Sequence, residues 1–132
     1  MGLEEQLVQA CERSDAPAVA RLLQQGANPA AAVTDPSSYH YQWKPLHTTI
    51  YNAKGSSQVV ELLVSQQGVD VNEPTANPQH TTPLHITAWH CPSLVPLLLK
   101  HGARVNATDG YRQTAPHDAA FHGHADAVAA LL

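Results

Sequence analysis

Charge is scarce in this chain. Asp, Glu, Lys and Arg together make up 14% of its 132 residues, and the formal net charge is -4. The seven Lys and Arg are scattered without any basic run, so the electrostatic footprint that nucleic acid or an acidic lipid surface needs is missing. Long apolar stretches are missing too. Runs such as Leu97–Leu99 and Ala127–Leu132 fall far short of the roughly 20 residues of a membrane span. The opening Met1-Gly2-Leu3-Glu4-Glu5-Gln6 has no basic segment and no apolar core, and Gln6 stands where an N-myristoylation pattern wants Ser or Thr. No secretory leader, nucleic-acid partner or membrane partner is therefore expected. Cysteine is confined to Cys11 and Cys91, read as reduced thiols of an intracellular protein, cytoplasmic or nuclear. Glycine never occurs in a rich loop, so nothing cradles a nucleotide and no cofactor is expected.

What the chain does have is repetition. Lys44-Pro45-Leu46-His47, Thr82-Pro83-Leu84-His85 and Thr114-Ala115-Pro116-His117 align on a histidine that recurs after 38 and then 32 residues. A second mark follows the apolar segments: Gly26-Ala27-Asn28, Gly68-Val69-Asp70-Val71-Asn72 and Gly102-Ala103-Arg104-Val105-Asn106. Between the marks lie clusters at helical spacing, namely Val19, Leu22 and Leu23; Val59, Val60, Leu62 and Leu63; Val95, Leu98 and Leu99; and Val128, Leu131 and Leu132. Each cluster gives a helix one apolar stripe, too narrow to form a core unless copies stack. Thr82 is placed to cap a helix whose first residue is Pro83, and the recurring glycines suit the left-handed residue that ends a second helix.

These marks together resemble the ankyrin repeat, over nearly the whole chain. The resemblance implies an all-α solenoid of about four helix–turn–helix units with extended finger loops, at residues 3–35, 36–74, 75–107 and 108–132. The first unit lacks the Thr-Pro-Leu-His start; Leu3, Leu7, Ala10 and Cys11 carry its first helix, with a polar outer side suited to a cap. Lys44 replaces the capping Thr in the second unit and Ala115-Pro116 replaces Pro-Leu in the fourth, so both starts are expected to be weaker than the third. The chain stops within a second helix, at Leu131-Leu132, so the last repeat reads as truncated. The expectation is the N-terminal part of a longer array, or an apolar end covered by a partner or by self-association.

Nine histidines invite a metal reading. His85 and His90, like His117 and His122, are five apart, which separates them by roughly 140° around a helix, unlike the shared face of an i, i+4 zinc pair. The resemblance instead gives His47, His85 and His117 a structural hydrogen-bonding task, beside Pro45, Leu46, Thr82, Pro83 and Leu84. No metal site is expected. Cys91 follows His90 in a tight turn without an orienting carboxylate nearby in sequence, so no catalytic site is expected either.

Aligning the first helices places Tyr51, Trp89 and Phe121 at one equivalent position and Asn52, His90 and His122 at the next. In ankyrin-like arrays this end of the helix and the finger tips line the concave face, so these rings form a candidate stripe, about 10 Å apart, for binding another protein. The alternative is that one or two of them pack inward. The long segment before the second unit adds Tyr39, His40, Tyr41 and Trp43, either a binding loop or a local plug over apolar surface. The expected function is a scaffold, adaptor or substrate-recruiting module; the alternative is the regulatory region of a larger enzyme. Asn72, in Asp70-Val71-Asn72, further resembles finger asparagines that hydroxylases modify, beside the plainer role of bonding its own finger.

Overall fold

The repeating apolar stripes fold as the spacing predicts. The computed structural model describes residues 2–38, 41–52, 57–76 and 78–132, and among these every regular element is helical. The α-helices are α1 (Leu3–Glu12), α2 (Ala16–Gln24), α3 (Pro45–Asn52), α4 (Gln58–Val64), α5 (Pro83–His90), α6 (Val95–Lys100), α7 (Ala115–Phe121) and α8 (Ala125–Leu131). They come in antiparallel pairs, one pair per repeat. The first helices form one layer, with α1 on α3, α3 on α5 and α5 on α7, while α2 packs on α4 and α6 on α8 behind them. A continuous core runs between the layers through Leu7, Val19, Leu22, Ile50, Val59, Leu63, Leu84, Val95 and Leu98, all at most 2% exposed. None of these helices is long and apolar enough to cross a membrane.

Local chemistry sets the helix ends. Asp15 caps α2 by accepting from the Ala18 N–H at 3.2 Å. In the third repeat the Thr82 hydroxyl accepts from the His85 N–H at 3.3 Å, and the Thr82 N–H points back to His85 Nδ1 at 3.4 Å, so two orphan donors are met reciprocally. Gly68 and Gly102 follow α4 and α6 with φ of 90° and 92°, the left-handed geometry a Cβ disfavours. The fingers repeat a backbone signature of their own. Gln42, His80 and Arg112 all adopt positive φ, each two residues before the residue that caps the next helix.

One detail departs from the sequence expectation. The turn after α5 is not a simple tight turn but a short 3-10 segment, Pro92–Leu94, whose Leu94 is buried. The second start lacks the capping hydroxyl at Lys44 but keeps other contacts. The Lys44 N–H still reaches His47 Nδ1 at 3.0 Å, and its ammonium pairs with Glu73 of the following finger. Residues 53–56, between α3 and α4, lie outside the described residues.

Candidate functional site

The motif histidines act across repeats. His85 is 1% exposed; its Nδ1 faces Thr82 and its Nε2 lies 2.8 Å from the Gln113 carbonyl in the next finger. An acceptor at Nδ1 and a donor at Nε2 define one neutral tautomer. His47 repeats the arrangement, with Nε2 2.7 Å from the Glu73 carbonyl. Burial pushes the His47 pKa down to about 4, against a smaller upward pull from that carbonyl and the Glu73 charge. His117 meets Thr114 through Nδ1, at 3.2 Å from the N–H, yet its ring is exposed.

Asn72 is a clip between turns. Its Nδ2 donates to the Gly102 carbonyl at 3.1 Å and its Oδ1 accepts from the Arg104 N–H at 2.8 Å. Those partners belong to the next repeat's turn, not to its own finger as the plainer sequence reading had it. The hydroxylation expectation therefore meets a residue with a structural task.

The aromatic stripe is present, graded rather than uniform. Tyr51 is half-buried, 4.2 Å by ring centroid from His90 of the next repeat. Trp89 is 43% exposed and stacks on His122 of the repeat after it, at 5.2 Å and 20° between planes. Phe121 has its own His122 against one edge at 5.1 Å and is 85% exposed. Thus Tyr51 and Trp89 are each partly covered by the following repeat's histidine, Phe121 only by its own, and exposure rises along the stripe. His90 is itself half-buried, and burial with the nearby His122 holds it below the usual histidine range. His124 anchors this end by placing Nε2 3.1 Å from the Trp89 carbonyl.

The finger candidates divide. Trp43 is only 7% exposed, edge-on to His47 at 6.1 Å and to Tyr51 at 5.5 Å, as a plug would be, and what remains of its surface lines the groove between α5 and α7. Packing a large ring over the apolar side of α3 outweighs offering it to solvent. Tyr41 remains at the surface, 38% exposed. Tyr39, with its neighbour His40, lies outside the described residues.

Between the last two fingers and α5 and α7 runs a groove of about 340 Å³. Trp89, His90, Phe121 and His122 line it, as expected for a stripe on this face, but so do Asp109, Tyr111 and Asp118, which sequence reasoning did not single out. The one signal available for Asp118 was its place three residues before Phe121, one turn away on the same helix face. Ligand atoms of His85, Asp109 and Asp118 lie within 4.8 Å of one another, a metal-like grouping. His85, however, has both nitrogens engaged by Thr82 and Gln113, which leaves it no lone pair for an ion without unmaking a helix cap.

Neither thiol is set up as a nucleophile. Cys11 is fully buried and burial raises its pKa to about 11, while Cys91 is 4% exposed. A family model described as ankyrin repeats, in three copies, matches residues 7–109.

Proposed function

Because the chain belongs to the ankyrin repeat family, we propose that it is a binding module that receives another protein on the face formed by its fingers and first helices. Repeats of this family are generally protein–protein interaction modules and typically non-catalytic. The observation that carries the reading is the exposure of Trp89 and Phe121 beside the groove between the third and fourth repeats. Large rings held at a surface by neighbouring side chains bury much area on binding at small entropic cost. Tyr111, 70% exposed on the last finger, extends the same surface, with His122 between the rings and Tyr41 at the earlier finger. In this role the chain serves as a scaffold, adaptor or substrate-recruiting element.

The test is affinity capture from cells with the wild-type chain and with Trp89→Ala, followed by measured binding of any protein that only the wild type retains. Trp89→Ala should weaken that binding by about 2 kcal/mol, the hot-spot threshold, with the melting temperature nearly unchanged. Equal binding by both chains would place the partner elsewhere on the surface.

A further inference from the structure

The groove between the third and fourth repeats brings two carboxylates together. Asp118, half-buried on α7, has no hydrogen-bond donor at its carboxylate among the described residues, and burial raises its pKa. Asp109 comes within 4.8 Å of it from the finger, with one oxygen occupied by the Tyr111 N–H at 2.8 Å and the Gln113 N–H at 3.0 Å. No Lys or Arg lines the groove. Arg112, next along the finger, is exposed and is not among the lining residues. Of the imidazoles in the lining, His85 has both nitrogens hydrogen-bonded and burial disfavours charge on His90, while the His85 and His122 rings pull the Asp118 pKa down against its burial.

The walls favour a particular kind of cation. Trp89, Tyr111 and Phe121 offer exposed aromatic rings beside the carboxylates. An ammonium or guanidinium over an aromatic face is attracted by the ring quadrupole, and a planar guanidinium can also stack there while bonding a carboxylate through its edge. Carboxylates line a groove in the first repeat as well, there without aromatic rings. This groove, of about 670 Å³ between α1 and the first finger, is lined by Glu4, Glu5, Glu12 and Asp35, again without Lys or Arg.

From this complementarity we infer that the partner is a basic segment, and that the groove seats one of its arginine side chains against Asp118, beside Trp89 and Tyr111. The inference rests on the docking face proposed above and adds the chemistry that face selects.

A blocked octapeptide of glycine and serine bearing two arginines, titrated against the full chain under amide and indole NMR, tests it. Its counterpart carries citrulline, which keeps the planar shape and loses the charge. The arginine peptide should shift the Trp89 indole and the amides around Asp118 and Phe121, and raising the salt should weaken it. Asp118→Asn should weaken it about five- to tenfold, the loss of one partly desolvated charge pair, with the melting temperature unchanged. Comparing the two peptides alters nothing in the protein, so the test survives any folding defect of the variant. Equal binding of arginine and citrulline peptides would overturn the charge selectivity and leave the docking face standing. A Trp89 indole silent to the arginine peptide up to millimolar concentration would overturn the arginine seat. Shifts confined to α2, α4 and α6 would overturn both the seat and the docking face.

Discussion

In the third repeat the motif histidine, His85, is 1% exposed and joins its helix cap to the next finger. In the fourth, His117 faces its threonine in the same way, yet its ring is exposed and no following finger meets its Nε2 among the described residues. The two repeats share the local start and differ in what lies beyond it. Sequence near the motif is therefore enough to form a cap, whereas burial of the motif comes from the neighbouring repeat. Stability in such an array is a sum over units and over the interfaces between them, and the interface term separates these two.

The largest effect should come from the core position these repeats share. Leu98 is fully buried between layers, and Leu131 occupies the equivalent place at 5% exposure with the terminal Leu132 beside it at 92%. Leu98→Ala should lower stability by about 2–5 kcal/mol, and Leu131→Ala by less than half of that, because the surroundings of α8 collapse more freely onto the lost volume. Chemical denaturation of both variants measures the difference. Equal losses would mean the last repeat is packed as tightly as the third and would break the comparison.

Much of this was legible in the residues. The Thr-Pro-Leu-His starts, the glycines after the second helices and the Val/Leu clusters are local signals, and helix ends answer to local chemistry. The aromatic stripe was legible as a register, because equivalent positions in stacked helices must align. Its gradient was not. Tyr51 is half-covered because His90 comes from the next repeat, at 4.2 Å, and a sequence read one unit at a time holds no such distance. Trp43 was undecided for the same reason, since its burial depends on how the preceding segment returns to α3. Asp109 and Asp118 went unnoticed because the finger folding back onto α7 brings them together, and their nine-residue separation carries no recognised spacing.

A second effect sharpens the contrast through pH. His47, in the second repeat, is buried in the same cap-and-finger arrangement as His85, and its pKa falls from 6.5 to about 4. The folded chain thus favours the neutral ring. Stability from this group is full above pH 6.5 and is lost as the pH falls from there to about 4, because the unfolded chain binds the proton first. At 1.36 kcal/mol per pH unit the loss is on the order of 3 kcal/mol. Unfolding free energies measured across that window should show the decline, and His47→Gln should flatten it from a lower starting stability. An unchanged decline in the variant would assign the dependence to other groups.

The smallest of the three effects is expected where the two repeats meet. Although the fourth repeat's helices are more exposed, its finger is seated closely on the one before it. The Gly110 N–H donates to the Gln79 carbonyl at 2.8 Å, and a Cβ built on Gly110 would lie 2.2 Å from the Pro78 carbonyl oxygen. Backbone oxygen cannot retreat as a flexible side chain can, so Gly110→Ala must lift one finger from the other. Gln113, three residues on, supplies the carbonyl that His85 bonds. Lifting the finger should therefore loosen the one tie that makes the third repeat's histidine different from the fourth's. The substitution should lower stability by about 1–3 kcal/mol, the range for forced overpacking. Hydrogen exchange should show lost protection at residues 109–114 and in α7 before any change in α1 to α4. Stability within about 0.5 kcal/mol of wild type, the scatter of ordinary surface changes, would show that the fingers do not couple these repeats and that the difference between His85 and His117 arises from helix packing alone.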